Sequence, residues 1–267
     1  MTYERLIVER EGHIGWLILD RTDAGNAFDA LMLDELEQAW AELDADPEVR
    51  VIVNTANGKA FSTGLDVVQI ARDKTKMREH SRRTRDAELR ISAWHCGVWK
   101  PVIAAVNGVC AGGGLHLVAD ADIVIAASDA TFLDPHVAVG QVVAYEAITL
   151  IRKSPMEAIM RMALIGRGER LTAQRALQLG ILSEVVEPER LRDAARELAE
   201  KVAKNSPSAM RASKQALWGA LELGLTDACK AGAAHLVGMW GHPDQEEGPR
   251  AFTEKREPQW RSLEPLP

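Results

Sequence analysis

An α/β fold with a helical C-terminal region is predicted by three features of the sequence. Short apolar runs rich in β-branched residues recur through the first half. Amphipathic or glycine-opened helical segments separate them. Beyond about Ser154 the strand-like runs nearly vanish and helical spacing takes over. With 267 residues, 46% hydrophobic and 27% charged, the chain is long enough for one core, or one core with a helical appendage. The expected division is a core over residues 1–200 and a helical region over 201–267.

Leu6-Ile7-Val8 and the run Ile14 to Leu19 flank Glu11-Gly12, a pair suited to a tight turn, so a β-hairpin opens the chain. From Ala30 to Asp44, Leu33, Leu36, Trp40 and Leu43 recur at three- and four-residue spacing, which marks an amphipathic helix. Val49 to Val53 reads as a short buried strand ending in the polar stretch 54–59. Strand, helix, strand points to a parallel layer. The pattern repeats with a strand at Pro101–Val106, a helix starting at Gly112 and a strand at Ile123–Ala126. Helical periodicity then covers 155–165, 172–180, 188–204, 207–223 and 226–240, with Thr172 and Ser206-Pro207 as helix starts.

The net charge is −7, so the overall field repels phosphate backbones and anionic membranes and argues against a nucleic-acid or membrane partner. Cys96, Cys110 and Cys229 are too few and too scattered for a disulfide framework or a tetrahedral metal site, and a reducing compartment is expected. The N-terminal residues carry charges throughout, without the apolar stretch of a signal peptide or anchor. A cytoplasmic protein is the expectation. Residues 72–90 hold eight Lys or Arg against four acids, either as a solvated helix face or as an electropositive rim for a phosphate-bearing ligand.

The most unusual segment is Asn107 to His116, where Gly112, Gly113 and Gly114 open a helix although each costs up to about 1 kcal/mol relative to alanine. Leu117 stands where a dinucleotide fingerprint needs glycine, and no P-loop lysine follows. Two explanations remain. One is close packing of helix on strand; the other is a helix start whose N–H groups hold a phosphate or an oxyanion. The loop Gly58 to Asp66 also follows a buried strand and precedes a helix that Asp66 can cap. Two N–H donors from these loops, converging on one carbonyl oxygen, would make an oxyanion hole.

The stretch GKAFSTGLD at 58–66 resembles the first signature of the crotonase superfamily, which includes enoyl-CoA hydratases and isomerases. KPVIAAVNGVCAGGGLHLVADADIVIA at 100–126 resembles the second, and ERLTAQRALQLGILSEVV at 169–186 and EGPRAFTEKREPQW at 247–260 fit the order and spacing of the family. The resemblance implies a crotonase-like spiral of repeated β-β-α units with a C-terminal helical trimerisation region, as a homotrimer or homohexamer. It implies an acyl-CoA thioester as ligand, with coenzyme A as part of the substrate, no separate cofactor and no metal. An enolate oxygen would be held by the backbone N–H groups of Leu65 and Gly113. Stabilising that enolate lowers the barrier to moving a weakly acidic α-proton, and one such donor is typically worth about 3–4 kcal/mol. Coenzyme A would run past Asn26 and Ala27 and past Lys59 and Ala60, with Asp66 beside them. Phe252 and Lys255 would reach a neighbour's coenzyme A.

Hydratases of this family use two glutamates, and at their positions this chain has His116 and His136. The Pro-Gly-rich stretch that usually follows is replaced by residues 140–146. Three readings follow. The histidines do the proton work themselves, by hydration or isomerisation, because imidazole titrates near neutrality and a helix N-terminus favours a neutral His116. Alternatively Glu146 takes over, with Asp134 orienting His136, which also admits hydrolysis on the same oxyanion hole. Or the chain binds acyl-CoA without turning it over. Ionisable side chains of one type at both positions favour an enzyme, with His116 and His136 as the acid/base pair. His95 reads as a packed or interface histidine, His13 falls in the first hairpin, and His80, His235 and His242 have no partner spacing. A metal on His116 and His136 would find only Asp134 nearby.

Overall fold

The protein is described by a computed structural model covering residues 2–73, 75, 82–83 and 89–263. Most of the basic segment 72–90, including His80, lies outside the described residues. The predicted hairpin forms from β1 (Leu6–Glu11) and β2 (Ile14–Leu19), with Glu11 opposite Ile14 across Gly12. Every residue of β2 is buried. That burial follows from position, because β3 (Val51–Ala56) pairs with β2 in parallel on its other side.

Between them runs α1 (Ala30–Ala45), capped by Asp29, which accepts from the Met32 N–H at 2.8 Å. It buries Met32, Leu33, Leu36, Ala39, Trp40 and Leu43. The strand read at Val49–Val53 runs instead from Val51 to Ala56, because two polar side chains in its second half donate hydrogen bonds inside the sheet. Asn54 Nδ2 donates to the Leu17 carbonyl at 3.1 Å and Thr55 Oγ1 to the Ala105 carbonyl at 2.8 Å.

The β-β-α repeat is visible three times. β3, β4 (Ala60–Ser62) and α2 (Val67–Arg72) form the first unit. β5 (Val102–Val106), β6 (Val109–Ala111) and α3 (Leu115–Ala119) form the second. The third comprises β7 (Ile123–Ala127), β8 (Thr131–Leu133) and α4 (Tyr145–Lys153). The first strand of each unit joins a six-stranded sheet of order β1-β2-β3-β5-β7-β10, closed by β10 (Glu184–Val186). The second strands form a four-stranded sheet, β4-β6-β8-β9, closed by β9 (Leu171–Thr172). Parallel pairing within both sheets delivers the end of each second strand, and the helix start after it, to one face of the molecule.

The C-terminal helices are α5 (Met156–Ile165), α6 (Ala173–Gln178), α7 (Leu191–Ala203), α8 (Pro207–Ala220), α9 (Leu225–Gly238) and α10 (Pro243–Glu254). Thr172 and Ser206 cap α6 and α8 as their sequences predict, accepting from Arg175 and Ala209. α7 lays Leu191, Ala195, Ala199 and Ala203 on the large sheet, whereas α9 buries none of its residues. Two buried lysines fasten these layers. Lys100 Nζ donates to the Leu43 and Asp46 carbonyls at 2.8 and 2.6 Å, and Lys214 Nζ donates to the Lys100 carbonyl at 2.9 Å and pairs with Asp122 at 2.8 Å. Among the described residues, no helix is long and apolar enough to cross a membrane.

Candidate active site

The two glycine-bearing loops meet. Gly64 has φ +85°, and a Cβ there would stand 2.8 Å from both the Ala111 carbonyl oxygen and the Gly113 nitrogen. A Cβ on Gly113 would lie 3.5 Å from the Leu65 nitrogen. The backbone of residues 64–65 therefore touches that of 111–113. Only glycine at 64 allows this approach, because the conformation is left-handed and the neighbouring atoms are backbone. Parallel β4 and β6 bring the loops side by side, and the bridge between Phe28 and Leu65 fixes the first loop from below.

A cavity of about 330 Å³ opens over this contact, lined by Leu65, Gly113, His116, His136, Tyr145 and Glu146 with apolar walls from Leu33, Leu89 and Ile91. His116 lies in α3, one turn beyond the glycines. His136 follows β8, and Glu146 sits in the first turn of α4. These three residues come from three elements, yet a single carboxyl group joins them. Glu146 Oε2 is 3.4 Å from His116 Nε2, and its Oε1 is 3.2 Å from His136 Nδ1. Asp134, fully buried, accepts from His136 Nδ1 at 2.6 Å and from the His136 backbone N–H at 3.1 Å.

The environments of the two histidines differ in kind. Asp134 first, then Glu146, raise the His136 imidazole to about 10, so it is a cation at neutral pH. Burial pushes His116 below the usual imidazole range against the opposing pull of Glu146, so it is neutral, and its Nδ1 is buried without a hydrogen-bond partner. The site thus pairs a charged imidazole with an uncharged one across a shared carboxyl group.

His95 lies directly behind His116, with ring centroids 5.6 Å apart edge to face. Its Nδ1 is 2.8 Å from Ser92 Oγ and 3.1 Å from Asp120 Oδ2, and Ser92 Oγ also hydrogen-bonds Asp120. Burial alone would raise Asp120, but His95 and Ser92 hold it below the ordinary carboxylate range. The contribution of Ser92 and Tyr145 has no signature in the sequence, and that of Asp120, within the 100–126 segment, is not marked by any spacing to His95. Ligand atoms of Asp134, His136 and Glu146, and those of His95, His116 and Asp120, lie within 4.8 Å of one another. The 2.6 Å Asp134–His136 separation is that of a direct charge-assisted hydrogen bond. Two ligands on one tetrahedral zinc sit about 3.3 Å apart.

The residues expected along coenzyme A fall into two groups. Asn26 is buried with φ 55°, donating through Nδ2 to the Asn57 and Ala60 carbonyls at 2.9 and 2.8 Å, so it ties Ala27 to the strand that begins at Ala60. Lys59 beside them is exposed. Asp66 caps α2 through the Val68 and Gln69 N–H groups and pairs with Arg21 at 2.8 Å. Phe252, 87% exposed, and Lys255 lie on and just after α10, outside the lining of the cavity.

The family model for enoyl-CoA hydratase/isomerase matches residues 9–263. The (E)-benzylidenesuccinyl-CoA hydratase of Thauera aromatica is 34% identical over 260 residues, covering 95% of this chain and 98% of its own. The carnitinyl-CoA dehydratase of Citrobacter koseri is 34% identical over 269 residues, with 97% and 98% covered. Among solved structures, an enoyl-CoA hydratase/isomerase from Mycobacterium paratuberculosis superposes with a TM-score of 0.89 at 37% identity, covering 97% of this chain and 99% of that one. The chain belongs to the enoyl-CoA hydratase/isomerase family of the crotonase superfamily and is an acyl-CoA-processing enzyme of that type.

Proposed function

We propose that the protein adds water reversibly to a 2-enoyl-CoA thioester, with the His116–Glu146–His136 bridge in place of a pair of glutamates. The observation that carries this reading is the single carboxyl group touching both imidazoles beside the contact of the two loops. The thioester oxygen accepts from the Leu65 and Gly113 N–H groups. Water held by Glu146 and neutral His116 attacks the β-carbon, and its proton stays on that pair. The electron pair of the double bond moves into the enolate, and the α-carbon takes a proton from cationic His136. His136 gives up the Nε2 proton and keeps the Nδ1 proton on Asp134; the starting state returns when Nε2 takes a proton from solvent and the Glu146–His116 pair releases the one it took from the attacking water. One proton leaves the water and one enters the α-carbon, so the addition balances and needs no oxidant or reductant.

Coenzyme A enters as part of the substrate, along Asn26, Ala27, Lys59 and Ala60, with Asp66 holding the α2 start behind them. Residues 1–200 form the spiral core and 201–267 the helical region. A homotrimer or homohexamer is supported by apolar side chains left open on the C-terminal helices, Leu217 at 71%, Leu225 at 82% and Leu236 at 62% exposed. In such an assembly Phe252 and Lys255 would meet a neighbour's coenzyme A.

The test is mass spectrometry of saturated, 2-enoyl- and 3-enoyl-CoA thioesters incubated with the protein in deuterated buffer. Added water on the 2-enoyl substrate is the expected result. Deuterium without added water would make it an isomerase, with Glu146 carrying the proton between carbons. Free coenzyme A would indicate a hydrolase using Glu146. Unchanged thioesters that still stabilise the fold would make it a binding protein.

A further inference from the structure

A second cavity, about 740 Å³, lies beside the catalytic one. Trp94, Trp99, Trp218, Tyr145, His95 and Ile148 line it, and the indoles of Trp94 and Trp218 stack at 6.3 Å and 29°. Tyr145 lines both cavities. Its ring stands 6.3 Å from that of His116 and 6.1 Å from that of His95. The rings of Tyr145 and His95 thus stand between the catalytic imidazole and a chamber that three indoles help to line. Tyr145 is also the first residue of α4, which starts without a side-chain cap at Ala144 and follows an exposed stretch at 140–142.

We infer that the indole-walled chamber receives an aryl group at the far end of the acyl chain, so that the substrate is an aryl-substituted acyl-CoA and Tyr145 sets this specificity. The inference rests on the acyl-CoA reading above and names the substrate class of that site. A benzene ring needs only about 150 Å³, and aromatic walls offer it offset and edge-to-face contacts that an alkyl chain cannot return. The shared Tyr145 wall places this chamber directly beside the catalytic cavity.

Titration calorimetry of the full chain with two saturated thioesters, butanoyl-CoA and 3-phenylpropanoyl-CoA, tests it without turnover. The phenyl compound is expected to bind about tenfold tighter or more. Ile148→Trp fills the chamber from a helix position that is 58% exposed, and it should remove most of that preference. Equal affinities in the natural protein, or a preference that survives Ile148→Trp, would overturn the inference and leave the acyl-CoA reading standing. Binding of neither thioester would overturn both. Sedimentation velocity on the same variant adds a check: a changed oligomeric state with the preference intact would mean that a second copy of the chain covers this groove, and would also overturn it.

Discussion

The Glu146 carboxyl group lies 3.2 Å from the Nδ1 of His136, a nitrogen whose proton is already held by Asp134 at 2.6 Å. Glu146 therefore touches a cation that is anchored from behind, and its other oxygen is free to face His116. Glu146→Gln keeps the shape and removes the proton-carrying capacity. Turnover on a good 2-enoyl-CoA should fall by about two to four orders of magnitude, with thioester affinity by calorimetry nearly unchanged. Full activity in this variant, alongside loss in His116→Ala, would return the proton work to the histidines alone.

The same anchoring sets a pH dependence of stability. His136 is raised to about 10 in the folded chain, from an unfolded value near 6.5. The stabilisation is complete below about pH 6.5 and drains as pH rises through about 10, because the folded state then loses the proton that Asp134 and Glu146 hold. Urea midpoints should decline from neutral pH to pH 10. In Asp134→Asn, which removes the first cause of the shift, that decline should flatten.

His116 imposes the opposite slope. Its folded-state value is lowered by burial, so the unfolded chain binds this proton more readily. Acidification through the unfolded imidazole value near 6.5 should weaken the fold, and His116→Asn should remove that part of the acid loss in thermal melts between pH 7 and 5.

Gly64 offers a geometric test. A side chain there meets backbone on two sides in a left-handed conformation, so Gly64→Ala should destabilise the fold by about 1–3 kcal/mol. It should also push the two loops apart. Turnover should fall further than melting temperature predicts if Leu65 and Gly113 donate to one oxygen as proposed.

Lys214 joins α8 to the strand layer through Asp122 and the Lys100 carbonyl. Lys214→Ala removes the ammonium from Asp122, which keeps the Val102 and Trp218 N–H donors, and should lower stability by about 1–2 kcal/mol. Adding Asp122→Asn should recover part of that loss in a double-mutant cycle.

The frame of the molecule was open to reading in the sequence where side-chain period carries it. Leu33, Leu36, Trp40 and Leu43 mark α1, and Thr172 and Ser206-Pro207 mark two helix starts, because each encodes its own local geometry. The second sheet was not, since three-residue strands such as Ala60–Ser62 and Val109–Ala111 hold no period and exist only by pairing. The site divides along the same line. The loops around Gly64 and Gly113 announce themselves by glycine and by resemblance. The sequence names His116, His136 and Glu146 as candidates. That one carboxyl group spans both imidazoles, and that Asp134 makes His136 a cation, follows from distances no spacing encodes.

The two glycine-bearing loops and Glu146 are built into parts of unequal rigidity. Leu65 and Gly113 sit at the ends of paired strands in tight backbone contact, whereas Glu146 hangs from the uncapped first turn of α4, after an exposed stretch. Fraying of that one turn removes the bridge between the histidines while leaving the sheets intact. Warming should therefore silence the enzyme before it melts, and cooling should restore it without refolding.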